Sequence, residues 1–206
     1  MYIYGLIGVL IVICAFAQIR FPENYSIFTN TISDQGSILL NPRGHKLWNI
    51  GVIIIGISMI PHFIHLFRIM KSISYLLSGI STLFGVISSI SLSLIGIFPK
   101  DFKVPHFTFA GITFGGIFFM ANINLILIIK GFRIYKQQKL STQKLPVSSI
   151  LKIVITVAIY FIFNMSFLIF VIQSKISGNI VPFWEWGYLF GIILWLISST
   201  IKLPVK

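Results

Sequence analysis

Acidic residues are nearly missing from this chain: among 206 residues there are four Asp and Glu against sixteen Lys and Arg. Charge of either sign is scarce, at 10% of residues, where a soluble domain carries about a quarter. That scarcity, with 56% hydrophobic residues and a mean hydropathy of +0.96, excludes an ordinary soluble domain. A single cysteine, Cys14, excludes a disulfide framework within the chain; in its apolar run it reads as a small core residue. The H-E-x-x-H pattern of zinc peptidases is absent, as is any internal repeat. The formal charge of +12 does not point to nucleic acid, because the basic residues are separated by long apolar runs; anionic lipid headgroups are the fitting counter-charge.

What the chain does have is apolar runs of membrane-spanning length. At about 1.5 Å per residue a crossing needs roughly 20 residues. The runs predict six spans, near 2–19, 46–67, 74–98, 106–129, 149–173 and 182–201. The expected fold is all-α, a single polytopic six-helix membrane bundle. The first run resembles a signal peptide at Ala15-Phe16-Ala17, but no Lys or Arg precedes it, so it reads as a retained helix. Span three is rich in Gly and Ser, which let helices approach closely in lipid, so it is expected at the centre. Gly111 and Gly115 form a small-residue face in span four, and Trp184, Trp186 and Tyr188 read as an interfacial aromatic belt on span six. Segment 21–44 is too apolar for a free loop and is expected to pack over one end of the bundle, with Ser33 or Asp34 capping a short helix and Gly36 permitting a turn. Asn24-Tyr25-Ser26 is a glycosylation sequon should that end lie outside.

Charge placement predicts orientation. With six spans, one side collects Arg68, Lys71, Lys130, Arg133, Lys136, Lys139, Lys144, Lys152, Lys202 and Lys206, with no acid. The other carries Arg20, Arg43, Lys46, Lys100, Lys103 and Lys175, with all four acids, Glu23, Asp34, Asp101 and Glu185. The basic side is expected in the cytoplasm, giving a multi-pass protein of the cell membrane with both termini inside. The linker 130–146 then reads as a solvated, lipid-attracted loop.

The centre of the sequence is the joint Gly96-Ile97-Phe98-Pro99-Lys100-Asp101-Phe102-Lys103-Val104-Pro105-His106, where two prolines are expected to close helices and His106 to open the next span. Asp34, His45, Asp101, His106 and Glu185 all fall on this side. Acid-plus-histidine groups suit proton transfer or metal binding; in the plainer reading the acids offset Arg20, Arg43 and the lysines. Asp34, His106 and Glu185 are the candidate pocket residues, and His45, His106 and Asp34 the candidate metal ligands. His62 and His65, spaced i, i+3, suit interfacial anchoring better than haem, since spans three, five and six offer no facing histidine. Asn122, Asn124 and Asn164 are expected to bond across helices.

Tyr25-Ser26 with Ile32-Ser33-Asp34-Gln35-Gly36, then Gly96, Phe98, Pro99 and His106 with Ala110 and Phe114, then Glu185 and Trp195, resemble in order and spacing the domain-of-unknown-function family 998 of small six-helix membrane proteins. The resemblance spans nearly the whole chain and implies the six-helix topology and the same site residues, with no activity attached. Two positions depart from it: Gln35 stands where Leu is common after the Asp, and Trp186 where Arg is common after the Glu.

Three functional classes follow: a protein handling a lipid or small molecule in an outer pocket, a membrane-embedded hydrolase that holds a metal or activates water, and a structural or regulatory membrane partner. The sequence names neither a cofactor nor an oligomeric state. Orientation is directly testable. A cysteine at position 140 in a Cys14-free chain is expected to resist an impermeant thiol reagent on intact cells and to react after permeabilisation; labelling from outside would reverse the topology.

Overall fold

The fold is that of a computed structural model describing residues 2–140, 146–177 and 181–200, the side chains of 138–140 excepted. It consists of helices α1 (Tyr2–Ile19), α2 (His45–Met70), α3 (Tyr75–Ile97), α4 (Lys103–Leu140), α5 (Val147–Ser177) and α6 (Pro182–Ser199), with a 3-10 helix at Ile32–Gly36 and no strand among the described residues. The first five helices are long and apolar enough to cross a membrane. The sixth has 18 residues, but its first two turns carry Trp184, Glu185 and Trp186 and dilute its apolarity. Of the basic residues assigned to one side, the side chains of Lys139, Lys144, Lys202 and Lys206 lie outside the described residues.

α3 is the central helix, packed against both α2 and α4. Its buried face consists of Ser78, Ser81, Gly85, Ser88, Ser89, Ser91 and Gly96. Small side chains bring the backbones together where lipid supplies no hydrophobic drive. A Cβ on Gly56 of α2 would strike the Ser93 hydroxyl and lie 2.7 Å from the Ser89 carbonyl; one on Gly96 would strike the Asn49 carbonyl. In α4 it is Gly116, set against the Ser88 hydroxyl, that makes the close approach, while Gly111 and Gly115 face open space, contrary to the spacing-based expectation. The reason is rotational: Gly116 shares the buried helical face with Thr113 and Met120, and Gly111 points outward.

Other expectations are corrected by the same accounting. α4 does not end near 129 but continues helical through the basic stretch to Leu140. Lys, Arg and Gln are good helix formers, and no proline intervenes before Pro146. At about 1.5 Å per residue α4 reaches some 57 Å, well past the hydrocarbon. Pro105 lies within the first turn of α4, where its missing N–H has no helical acceptor to lose. Trp186 and Tyr188 are buried, not set in a lipid-facing belt; the Tyr188 hydroxyl donates to the Phe114 carbonyl at 2.9 Å. Phe118, Phe163, Phe167 and Trp195 complete an aromatic seam joining α4, α5 and α6. His62 and His65 do not share an environment: His62 is buried with Nε2 3.1 Å from the Ser199 hydroxyl, and His65 is exposed. Asn124 accepts across the bundle from Ser81 at 2.7 Å, whereas Asn122 and Asn164 donate to their own helices' carbonyls.

α1 rests on α2, with Ile13 against Gly51, and touches α6 only sparsely. A Tyr4–Thr200 hydroxyl pair at 2.9 Å pins the far end of that α1–α6 seam.

The glycine geometry makes a paired prediction. Gly56→Ala is expected to lower the thermal midpoint of the detergent-purified protein, because three α3 atoms, of Ser89 and Ser93, must give way. Gly79→Ala, facing open space, is expected to leave it unchanged or raise it, since Ala favours a helix over Gly by about 1 kcal/mol. Equal effects would mean that α2 and α3 do not pack as described.

Candidate functional site

The chain between α1 and α2 folds back over one end of the bundle. Thr31, Asp34, Gln35, Gly36, Ser37 and Asn41 are all buried. Backbone folded into a bundle end must find hydrogen bonds, and here side chains supply them. Asp34 Oδ2 accepts the Thr31 N–H at 2.7 Å, the reciprocal half of a capping arrangement. Asn41 Nδ2 donates to the carbonyls of Ala17 and Gln35, both at 3.0 Å, tying the end of α1 to the 3-10 helix. Gly36 serves close packing more than turning: a Cβ there would collide with Trp48 and Asn49 of α2. The fold-back does not cover all its own apolar side chains. Phe28 is exposed but stacked on Phe183 at 5.3 Å, and Ile38, Leu39 and Leu40 project outward. At a membrane end such a tip meets lipid instead of water, so full burial is not required.

Asp101 anchors this segment from the α3–α4 turn. Its carboxylate accepts from the Ser37 hydroxyl at 2.8 Å and from the N–H groups of Ile38 and Leu39 at 2.7 and 3.4 Å. Burial by itself raises the pKa, but these donors outweigh it and hold the carboxyl below its ordinary 3.8. Tyr25 donates to the Thr31 carbonyl at 2.8 Å, and burial pushes its phenol above its ordinary value.

Glu185 reaches the same segment from α6. It is buried in the first turn, where the positive end of the helix dipole favours a carboxylate, and Oε2 accepts the Ile32 N–H at 3.0 Å. Trp186, in the position where Arg is common in the resembling family, donates from Nε1 to the Asn30 carbonyl at 3.2 Å. The cation of this end is Lys100, which pairs with Asp34 and donates to the Thr31 hydroxyl at 3.1 Å. Lys100 is a site residue that sequence reasoning passed over. The signal available was that an acid buried at a membrane end requires a cation, and Lys100 is one of the few basic residues at that end.

His106 is buried near the start of α4, and its Nδ1 donates to the Phe98 carbonyl at 2.9 Å, capping the end of α3. A cavity of about 120 Å³ opens beneath it. Its walls are apolar residues of α1, α2, α3, α4 and α6, including Leu6, Val52, Ile95, Ile117 and Ile192, with Ser33, His106, Thr113 and Glu185 as the polar lining. Ala110 and Phe114, one and two turns below His106, line the same wall.

Of the three candidate pocket residues, His106 and Glu185 therefore face one cavity. Asp34 does not line it; it sits behind the wall, paired with Lys100 and separated from Glu185 by Thr31 and Ile32. His45, His106 and Asp34 do not form a metal-binding set. His45 Nδ1 lies 3.1 Å from the Asn41 carbonyl, and each of the three has a different partner. Among the described residues no group of three His, Cys, Asp or Glu side chains is placed to hold a metal ion. Gln35 is fully buried, with its amide beside the Cys14 thiol and the Tyr25 hydroxyl.

Two predictions follow from this wiring. Lys100→Met leaves Asp34 buried without its cation and is expected to cost on the order of 2–3 kcal/mol, at the low end because Lys100 is partly exposed; the double variant with Asp34→Asn should recover most of it. A Lys100→Met protein as stable as the wild type would show that the pair carries no structural weight. Because the folded pKa of Asp101 is depressed, the stability it contributes is full above the unfolded value and is lost as pH falls below about 3.8. The stability gap between wild type and Asp101→Ala, read by thermal unfolding, should accordingly be constant from pH 7 to 5 and narrow below 4.

No curated protein and no solved structure matches the chain. One family model does, over residues 6–202, a range that takes in every residue of the cavity wall except Ile3. The chain belongs to the family described as "Protein of unknown function (DUF998)".

Proposed function

We propose that this protein is a six-span membrane protein that binds a lipid or small amphipathic molecule in the cavity under the fold-back segment. The observation that carries the reading is the cavity itself: apolar walls drawn from five helices, topped by the buried ionisable side chains of His106 and Glu185. Ligand sites combine mostly apolar lining with a few convergent polar groups in this way. Ionisable groups inside a membrane protein are costly unless they have work to do, and Asp34 braces the start of the 3-10 helix behind the wall through the Thr31 N–H.

In this reading α6 is the sixth crossing. The end bearing His106 and Glu185 faces away from the cytoplasm, because Arg68, Lys71, Lys130, Arg133, Lys136 and Lys152 gather at the other end without an acid. Those basic residues attract anionic headgroups of the inner leaflet. The sparse α1–α6 contact supplies a side entrance from the bilayer.

The test is to fill the cavity. Ala110→Trp places a large ring one turn below His106. Lipid extracts of the wild-type and variant proteins, purified in parallel and compared by mass spectrometry, should show a bound species in the wild type reduced at least several-fold in the variant. Indistinguishable extracts from two well-folded proteins would sink the pocket reading.

A further inference from the structure

We infer that the pocket selects an amphiphile whose head donates hydrogen bonds, a hydroxyl or an amine, over one whose head is a carboxylate or phosphate. This rests on the pocket reading above and adds the chemistry of the head. The polar atoms around the cavity can be accounted for one by one. Thr113 donates to the Ser88 carbonyl at 3.4 Å, and the Ser33 hydroxyl pairs with that of Thr31 at 3.1 Å. The N–H edge of the Trp48 indole lies against Gly36, on the side of the 3-10 helix. Lys100, the nearest cation, is held by Asp34 and Thr31.

Apart from the Trp48 N–H, two side-chain atoms of the cavity lining have no partner among the described residues, His106 Nε2 and Glu185 Oε1. Their residues are 3% and 4% exposed, and both line the cavity. The Phe98 carbonyl only accepts, so Nδ1 of His106 carries the hydrogen, and in the neutral ring Nε2 is the acceptor. When ionised, Glu185 likewise presents Oε1 as an acceptor. Two acceptors held in an apolar enclosure gain by meeting a donor and lose by meeting a second anion. Between Glu185 and Leu196 the α6 wall runs about 16 Å, which suits a medium-length alkyl chain below the head.

The experiment is equilibrium binding of radiolabelled 1-O-dodecylglycerol to the purified protein in detergent, with a protein-free control for micelle partition. Dodecylamine, dodecanoate and dodecyl methyl ether serve as competitors of equal chain length. Dodecylglycerol and dodecylamine should displace the label at concentrations roughly ten-fold below those of dodecanoate and the ether, the scale of one well-made hydrogen bond. His106→Phe should bring the four competitors together while retaining binding; Glu185→Gln, which keeps an acceptor for the Ile32 N–H, should weaken the amine most and carries the test should His106→Phe not fold. Dodecanoate competing as well as or better than dodecylglycerol would overturn the head-group inference and leave the pocket reading intact. Absence of saturable binding by any of the four would overturn both.

Discussion

The constraint on which this structure depends is that every backbone group at the end of the bundle must find a partner without the help of bulk water. Helices α1 and α3 end there and α2, α4 and α6 begin there, and the chain between α1 and α2 crosses over them. The structure meets the demand with a small number of acceptor side chains, each serving another segment. Asp101 holds the N–H groups of Ile38 and Leu39, Asp34 that of Thr31, and Glu185 that of Ile32. Three of the protein's four acids are thus spent on one stretch of nine residues. Only Glu23 is left exposed. The scarcity of acids in the composition and their concentration at this end are one fact seen at two scales.

The arrangement couples the cavity to the fold-back segment. Glu185 uses one oxygen to hold Ile32, which itself lines the cavity, and its other oxygen has no partner among the described residues. His106 divides its ring in the same way, with Nδ1 on the end of α3 and Nε2 without a partner among the described residues. Each residue is fixed by a structural bond on one atom, which is the condition for holding the other in a defined place. Such half-used side chains combine positioning with availability. A wholly structural carboxylate looks different, and Asp101 is the example, with both oxygens occupied by Ser37, Ile38 and Leu39.

Much of the fold was legible in the sequence because lipid imposes a length on helices and a small-residue requirement on their contacts. The helix positions follow from apolar run length, and the centrality of α3 from its serines and glycines. What run length cannot register is where a helix stops once it has left the hydrocarbon, so the extension of α4 to Leu140 was invisible to it. Spacing also fails to say which face of a helix is buried: Gly111 and Gly115 have the expected separation, yet Gly116 makes the contact. That His106 and Glu185 lie at one end of the bundle could be read from the helix count; that both line one cavity comes from the fold. The exclusion of Asp34 from the cavity wall could not be read, because it depends on Lys100 drawing that carboxylate to the other side of the 3-10 helix.

The substitution pattern at this end has its own logic. Trp186 stands where an arginine is common in the resembling family, and it still donates a hydrogen bond, now to the Asn30 carbonyl, while adding an edge contact to Tyr25 at 6.2 Å. An indole can replace the donor of a guanidinium but not its charge. The positive charge facing the acids therefore has to come from another element, and Lys100 supplies it from the α3–α4 turn. The consequence falls on the cavity. A cation at position 186 would be a neighbour in sequence of Glu185, whereas Lys100 is committed to Asp34 and leaves the Glu185 carboxylate without a salt bridge among the described residues. Whether the Glu185 carboxyl meets a cation thus depends on where this chain keeps its lysine, and not only on the residues that line the wall.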